Sequence, residues 1–278
     1  MRPALVVRRA ADYLARHEVD APLPTAEALL RDVLGTDRAG LYAREDGLSS
    51  AEARLFGRAL CRRCVGEPTQ HITGEQGFRR LILEVRPGVF VPRPETEVAV
   101  DHALAAIAGL AAPVVVDVGT GSGAIALAVR DERHDARVIA IDASPEAVSL
   151  ARANAERLAL PIDVLEGDLL EPLPASLRGE VDLVVSNPPY IAEGAVASLP
   201  REVRADPRTA LVGGAEVYER LFEQAGDVLR AGAAIVVEIE ETRGEEIRLI
   251  ACAAGFTDVE VAKDLTGRDR VLTAWEPE

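Results

Sequence analysis

The chain has 278 residues, 48% of them apolar and 28% charged, enough for one large α/β domain and a smaller companion. A net charge of −15, from 31 basic against 46 acidic residues, argues against a surface that tracks a phosphate backbone, so no direct nucleic-acid partner is expected. No apolar run approaches a membrane span, and the N-terminal stretch is too short and too soon interrupted by arginine for a secretion signal; a cytoplasmic protein is expected. Cys61 and Cys64 make a lone CxxC, Cys252 is remote and the histidines are scattered, so neither a disulfide framework nor a metal site is expected.

Residues 1–75 read as a small helical domain. Leu5, Val6, Arg9, Ala10, Tyr13 and Leu14 recur at helical spacing. Thr25 can cap a helix that Gly35 ends. Ser49 and Glu52 form a capping box for a helix with Leu55, Phe56, Leu60 and Cys64 on one stripe, ended by Gly66 and Pro68. Residues 76–93 read as a β-hairpin linker, with short runs at 81–85 and 89–91 around Pro87-Gly88. Pro94 then suits the first turn of another helix.

From about residue 113, strands and helices alternate. Strands are expected at Val114–Val118, 138–141, 162–165, 181–185, 234–239, 258–262 and 270–274. Helices are expected at 124–130, Pro145–Leu158, 216–230 and 245–253. Such alternation predicts an α/β fold, a mainly parallel Rossmann-like sheet covered on both faces. Two final strands with no helix between them predict one antiparallel member.

Asp117-Val118-Gly119-Thr120-Gly121-Ser122-Gly123 follows the first of these strands and opens a helix. Glycines there allow a tight turn and close approach to a ligand. Gly119, Gly121 and Ala124 also satisfy a dinucleotide pattern, so the loop alone does not separate a methyltransferase from a dehydrogenase. Asp142, at the end of the next strand, can accept from both ribose hydroxyls of either cofactor. Ser144 before Pro145 is the better cap for the following helix, which leaves Asp142 free. Asp168 can accept from an adenine amino group while Leu169 packs on the ring.

Val181 to Ser186 runs directly into Asn187-Pro188-Pro189-Tyr190. The motif therefore stands at the carboxyl end of a strand, where open α/β sheets bind ligands. Its two prolines fix φ and remove two N–H groups, leaving a stiff segment. The Asn187 side chain and the Pro188 carbonyl can face one –NH2 group, and Tyr190 can stack on a flat substrate. An amide nitrogen is a poor nucleophile because its lone pair is delocalised. Two acceptors aligned on its N–H bonds can turn that lone pair toward a sulfonium methyl. A dehydrogenase has no use for this group, so S-adenosylmethionine is the expected cofactor and S-adenosylhomocysteine the product.

The chain resembles the protein-(glutamine-N5) methyltransferases that modify peptide-chain release factors. The resemblance spans nearly the whole length. It rests on Glu67-Pro68-Thr69-Gln70-His71-Ile72-Thr73-Gly74, Val91-Pro92-Arg93-Pro94-Glu95-Thr96-Glu97, the glycine loop, Asn187-Pro188-Pro189-Tyr190-Ile191 and Gly267-Arg268-Asp269-Arg270. It implies a helical substrate-docking domain at 1–75, the hairpin linker and a seven-stranded methyltransferase domain at 94–278. It also implies a release factor as partner, with the glutamine amide of its Gly-Gly-Gln loop held by Asn187 and the Pro188 carbonyl. Pro189, Tyr190, Arg93 and Glu95 complete the expected substrate set. Departures from the family pattern fall at 202–218 and 238–243. There the added carboxylates Glu240 and Glu241 motivate a second reading, a relative acting on an amide or guanidine nitrogen of a small molecule such as arginine.

Overall fold

The computed structural model describes residues 1–278. One unit comprises residues 1–75 and 200–205. It contains α1 (Pro3–Arg16), α2 (Pro22–Leu34), α3 (Arg38–Ala43), α4 (Ser50–Cys64) and α5 (Thr69–Thr73). Pro3 and Pro22 open their helices at positions where an N–H has no partner to lose. Helix α2 therefore begins before Thr25, whose hydroxyl donates to the Asp20 carbonyl at 3.4 Å instead of capping. Gly35 ends the helix in the left-handed region, as expected. The Ser49 box is formed: Ser49 Oγ accepts from the Glu52 N–H at 3.2 Å, and Glu52 accepts from the Ser49 N–H at 2.7 Å.

The apolar stripes are rotated from the expected ones. Helix α1 buries Val7, Ala10, Ala11 and Leu14 and exposes Leu5 and Tyr13; α4 buries Phe56 and Ala59 and exposes Leu55. These side chains join Leu29, Leu30 and Leu41 in a core of their own. Arg63 is buried on the same helix and pairs with Glu202 at 2.7 Å, which fastens 200–205 to this unit.

The second unit comprises residues 76–199 and 206–278. A two-stranded ribbon of β1 (Glu75–Phe78) and β2 (Leu81–Glu84) comes first in the chain. Its turn is at Arg79-Arg80, with Arg79 at φ 51°, and not at Pro87-Gly88; residues 89–91 form no strand. The polar Glu75-Gln76-Gly77 has no apolar alternation to reveal it. A 3-10 turn, Pro94–Thr96, then leads into α6 (Glu97–Ala106).

The main sheet is built from β3 (Val114–Val118), α7 (Ala124–Glu132), β4 (Arg137–Asp142), α8 (Pro145–Leu158), β5 (Asp163–Glu166) and β6 (Val181–Ser186). After short turns follow α9 (Arg208–Leu211), α10 (Ala215–Val228), β7 (Leu229–Glu238), α11 (Gly244–Ala253), β8 (Thr257–Lys263) and β9 (Asp269–Trp275). Strand order is β5-β4-β3-β6-β7-β9-β8, with β9 alone antiparallel to its neighbours. This is the mainly parallel, Rossmann-like sheet that the alternation of strands and helices predicts.

Alternate strand residues feed opposite layers. Val115, Val138, Leu183 and Val236 pack with α6 and α7, while Val116, Ile139, Val184 and Ile235 pack with α10 and α11. Each fully buried large aliphatic or aromatic side chain stabilises the fold by about 1.5–3 kcal/mol. The chain steps from β3 to β4 and β5, then returns to the other flank of β3 as β6. The strand order thus reverses between β3 and β6, and the crevice at their carboxyl ends is the place for a ligand. No helix is long and apolar enough to cross a membrane.

Candidate active site

The β3 bank of the crevice is held by backbone. Gly119, Gly121 and Gly123 have φ of 72°, 57° and 86°, which a side-chain-bearing residue adopts only with strain. The Gly119 and Thr120 N–H groups donate to the Ile141 carbonyl at 2.9 and 3.0 Å, folding the loop over β4. Asp117 is fully buried. Its Oδ2 accepts from the Thr120 hydroxyl at 2.6 Å and the Ala126 N–H at 3.0 Å, while Oδ1 has no partner. Burial pushes its carboxyl up to about 7. Asp142 accepts from the Gly121 N–H at 2.8 Å and from the Ser144 N–H at 2.9 Å. Ser144 caps α8 through the Ala147 N–H at 3.2 Å. Burial raises the Asp142 carboxyl despite the Ser144 and Gly121 N–H groups. Asp168 and Leu169 follow β5; Leu169 is left-handed at φ 48°, and the exposed Asp168 pairs with Arg220 of α10 at 2.6 Å. Three positive-φ glycines and an orphaned, buried carboxylate oxygen fit a ligand with a cationic end and a compact polar body.

The β6 bank is held by side chains. The Ser186 hydroxyl donates to the Val118 carbonyl at 2.8 Å and ties the two strand ends together. A Cβ built on Gly119 would lie 4.0 Å from the Asn187 carbonyl oxygen, so the two loops meet across the switch point. Asn187 Nδ2 donates to Thr96 Oγ1 at 3.1 Å. Beyond the prolines, the Ile191 N–H donates to the Leu211 carbonyl at 2.8 Å and the Gly213 N–H to the Ile191 carbonyl at 3.1 Å. A Cβ on Gly213 would lie 2.0 Å from the Pro189 carbonyl oxygen, so only glycine admits this approach.

The Tyr190 hydroxyl donates to Glu238 Oε1 at 3.4 Å. Burial, then the Glu238 charge, holds the tyrosine proton on well above the usual range. Glu238 ends β7 and is 2% exposed; Oε2 has no partner and Arg270 Nη1 lies 3.9 Å from Oε1. Burial pushes the Glu238 carboxyl up to about 7, with the nearby Thr96 hydroxyl and the Arg270 charge pulling against it. The Tyr218 hydroxyl donates to the Glu238 backbone carbonyl at 2.9 Å.

The two residues of the 93–97 segment expected at the substrate part ways. Glu95 is exposed in the same turn as Thr96, and its charge reaches Tyr190 and Glu238. The Arg93 guanidinium is engaged internally: it pairs with the buried Asp206 and lies 5.2 Å from the Phe90 ring centre. Asp206 also accepts from the Val91 N–H at 3.2 Å, so the pair braces the loop before α6. Glu240 accepts from the Thr242 N–H at 3.0 Å and its hydroxyl at 2.5 Å, and Glu241 pairs with Arg268 at 2.9 Å. Both carboxylates shape their own turn.

The PrmC N-terminal domain family matches residues 6–74, and the Methyltransferase small domain family matches residues 81–266. A release factor glutamine methyltransferase of Moorella thermoacetica is 39% identical over 95% of this chain and 95% of its own. One from Mycolicibacterium smegmatis is 41% identical over 96% of this chain and 95% of its own. The chain belongs to the release factor glutamine methyltransferase family. Among solved structures, a methyltransferase from Pyrococcus furiosus shares the fold at 17% identity, with a TM-score of 0.52, covering 83% of this chain and all of that one.

Four residues near the crevice have no role assigned from the sequence: Thr96 and Arg270, which lie within the motifs that carry the resemblance, and Glu238 and Asp206. Glu238 carried a signal. A carboxylate closing the apolar run Ile235-Val236-Val237 at the carboxyl end of a strand must be either solvated or used. Thr96 lies in the Val91–Glu97 motif, but only the fold brings it to Asn187.

Proposed function

We propose that this chain methylates the side-chain amide nitrogen of the glutamine in the Gly-Gly-Gln loop of peptide-chain release factors. The observation that carries the reading is the Asn187-Pro188-Pro189-Tyr190 segment, set beside the glycine loop at the switch crevice of a chain that belongs to this family.

When bound, S-adenosylmethionine supplies an electrophilic sulfonium methyl and leaves as S-adenosylhomocysteine. Gly119, Thr120, Gly121 and Gly123 let the backbone close on it, and Asn187 borders it from the β6 side. Asp117, whose Oδ1 is buried and unpartnered, would hold the cationic amino group. Asp142 keeps lone pairs for the ribose hydroxyls beyond those spent on Gly121 and Ser144. Asp168, which Arg220 holds in place, would accept from the adenine amino group, and Leu169 would pack on its ring.

Asn187 Oδ1 and the Pro188 carbonyl accept the two N–H bonds of the substrate amide and turn its lone pair toward the methyl. Pro188 and Pro189 keep that pair of acceptors rigid. Orientation of this kind is worth up to about 7–11 kcal/mol in favourable intramolecular cases. The nitrogen becomes acidic once methylated, so water suffices to take its proton. Tyr190 packs on the flat amide, Glu95 meets substrate backbone at the rim, and Arg93 supports the rim through Asp206. The helical domain at 1–75 docks the release factor, and the reaction takes place in the cytoplasm.

The small-molecule reading has no support: its motive, Glu240 and Glu241, is spent on Thr242 and Arg268. Incubation with a release factor and methyl-labelled cofactor tests the choice. Label on the release factor is expected; transfer to free arginine or glutamine with none on the release factor would sink the proposal.

A further inference from the structure

Asn154 of α8 is fully buried, and its side-chain amide makes every bond open to it. Nδ2 donates to the Ser122 carbonyl at 2.9 Å and to the Glu84 carbonyl at 3.0 Å. Oδ1 accepts from the Glu84 N–H at 2.8 Å and from Arg157 Nη2 at 3.1 Å. Two donors and two lone pairs are the whole capacity of the group. Its orientation is fixed, because Oδ1 faces groups that only donate and Nδ2 faces carbonyls that only accept. Two of the four bonds take both backbone groups of Glu84, at the end of β2, as a neighbouring strand would. The other Nδ2 hydrogen is spent on the glycine loop. The ribbon is secured without that hydrogen: Arg157 also holds the Ile82 carbonyl, and Phe78, Leu81 and Leu83 are buried in the core. Helix α8 meets the loop at a second point, since a Cβ built on Gly123 would lie 3.4 Å from the Cβ of Ala151, one turn before Asn154.

We propose that Asn154 is a positioning residue for the cofactor: by holding the Ser122 carbonyl it keeps the Gly121-Ser122-Gly123 turn in binding shape before S-adenosylmethionine arrives. The inference rests on the reading of the glycine loop as the cofactor site. Glycine loses more conformational freedom on ordering than any other residue, so a loop with glycine at 119, 121 and 123 needs its shape imposed from outside. Its first half is fastened to the end of β4, where the Ile141 carbonyl takes the Gly119 and Thr120 N–H groups and Asp142 takes that of Gly121. In its second half the Gly123 N–H returns to the Thr120 carbonyl, within the loop itself. The Ser122 hydroxyl has no partner, so that side chain gives no hold of its own. The Asn154 amide supplies the outside bond. Without it the cost of ordering the turn falls on the cofactor: a loop in binding shape about one-tenth of the time binds about tenfold more weakly.

The test is calorimetric binding of S-adenosylhomocysteine to the full chain, as wild type, N154A, L83A and G121A. N154A opens a polar space that water can enter, so the freed carbonyls are solvated while the loop loses its registered bond. It is expected to bind about tenfold more weakly, the scale of one lost buried hydrogen bond. KM for S-adenosylmethionine should rise by the same factor, with kcat at saturating cofactor within about twofold of wild type. L83A loosens β2 without touching the Ser122 bond; it should lose stability in urea yet bind within about twofold of wild type. The Gly123 amide shares a peptide with the Ser122 carbonyl, so its NMR signal should move in unliganded N154A and stay in place in L83A. If N154A proves unfolded, N154S, which keeps a small polar side chain at the site, carries the same measurements. Binding by the Asn154 variant within about twofold of wild type while G121A is weakened overturns the proposal alone. So does L83A weakened as much as the Asn154 variant, or an unmoved Gly123 signal. If G121A also binds as wild type does, the reading of the loop fails first and the proposal falls with it.

Discussion

The two banks of the crevice are built by opposite means. On the β3 side, the contacts stay within two paired neighbouring strands and the loops after them: Asp117 reaches Thr120 and Ala126, and Asp142 reaches Ser144 and, across β3 and β4, Gly121. Main-chain N–H groups do most of the donating, and glycine conformations set the shape. On the β6 side, Asn187 and Tyr190 are held by Thr96 and Glu238, which come from the turn before α6 and the end of β7. The first bank is an almost local structure. The second exists only after strands distant in sequence have paired, and it contains a buried carboxylate, Glu238, that costs stability once ionised.

Truncating the β6 bank at its centre should have the largest effect. N187A is expected to lose between about 10² and 10³ in kcat on the release factor, as for loss of one preorganised polar group, while S-adenosylhomocysteine affinity by calorimetry falls by a much smaller factor, since Asn187 only borders the cofactor. An equal loss of cofactor binding would mean that the banks are not separable.

Next comes the cost of the Glu238 charge. Its carboxyl is raised from 4.5 to about 7, so the folded state holds the proton longer than the unfolded chain. That contribution is fully present below about pH 4.5 and is lost as pH rises through about 7. E238Q should therefore be more stable than wild type at pH 8, by about 1–3 kcal/mol in urea unfolding, and nearly equal to it at pH 4. A variant less stable at both pH values would show that the carboxylate is structural.

G213A should cost less. Its Cβ would meet the Pro189 carbonyl at 2.0 Å, so the strand-like pairing must shift, at about 1–3 kcal/mol of stability, with kcat falling more than KM rises. On the β3 bank, G121A meets no atom within 4 Å, so only the φ of 57° penalises it. A penalty of about 1–2 kcal/mol should weaken S-adenosylhomocysteine roughly tenfold in calorimetry, with kcat at saturating cofactor preserved. The smallest effect is expected for R220A: its pair with Asp168 is half-exposed, so stability should change by less than about 1 kcal/mol. A large stability loss there would mean that the adenine end of the first bank is not merely local.

The contrast between the banks also explains what could be read beforehand. Val114–Val118 and Pro145–Leu158 are visible in the sequence because an apolar run, a proline and a serine cap are local signals, and both elements have those bounds in the structure. The glycine loop is visible for the same reason. The hairpin was misplaced because Pro87-Gly88 is a strong turn signal with no ladder behind it, whereas the Arg79-Arg80 turn joins a strand with little apolar pattern. Leu5, Tyr13 and Leu55 lie beside the buried stripes of their helices, since a helix of 14 or 15 residues tolerates a rotated reading until its partners are known. Arg93 reads as a substrate ligand until Asp206, distant in sequence, is seen to hold it. Thr96 could not be joined to Asn187, nor Glu238 to Tyr190, without the strand order.

The central claim is that the β6 bank presents two acceptors to a glutamine amide. Mass-spectrometric mapping of a release factor after reaction with wild type and N187A tests it most directly. One methyl group on the side-chain nitrogen of the Gly-Gly-Gln glutamine, present with wild type and nearly absent with N187A, is the predicted result. A methyl group on any other residue, or equal methylation by N187A, would contradict the account.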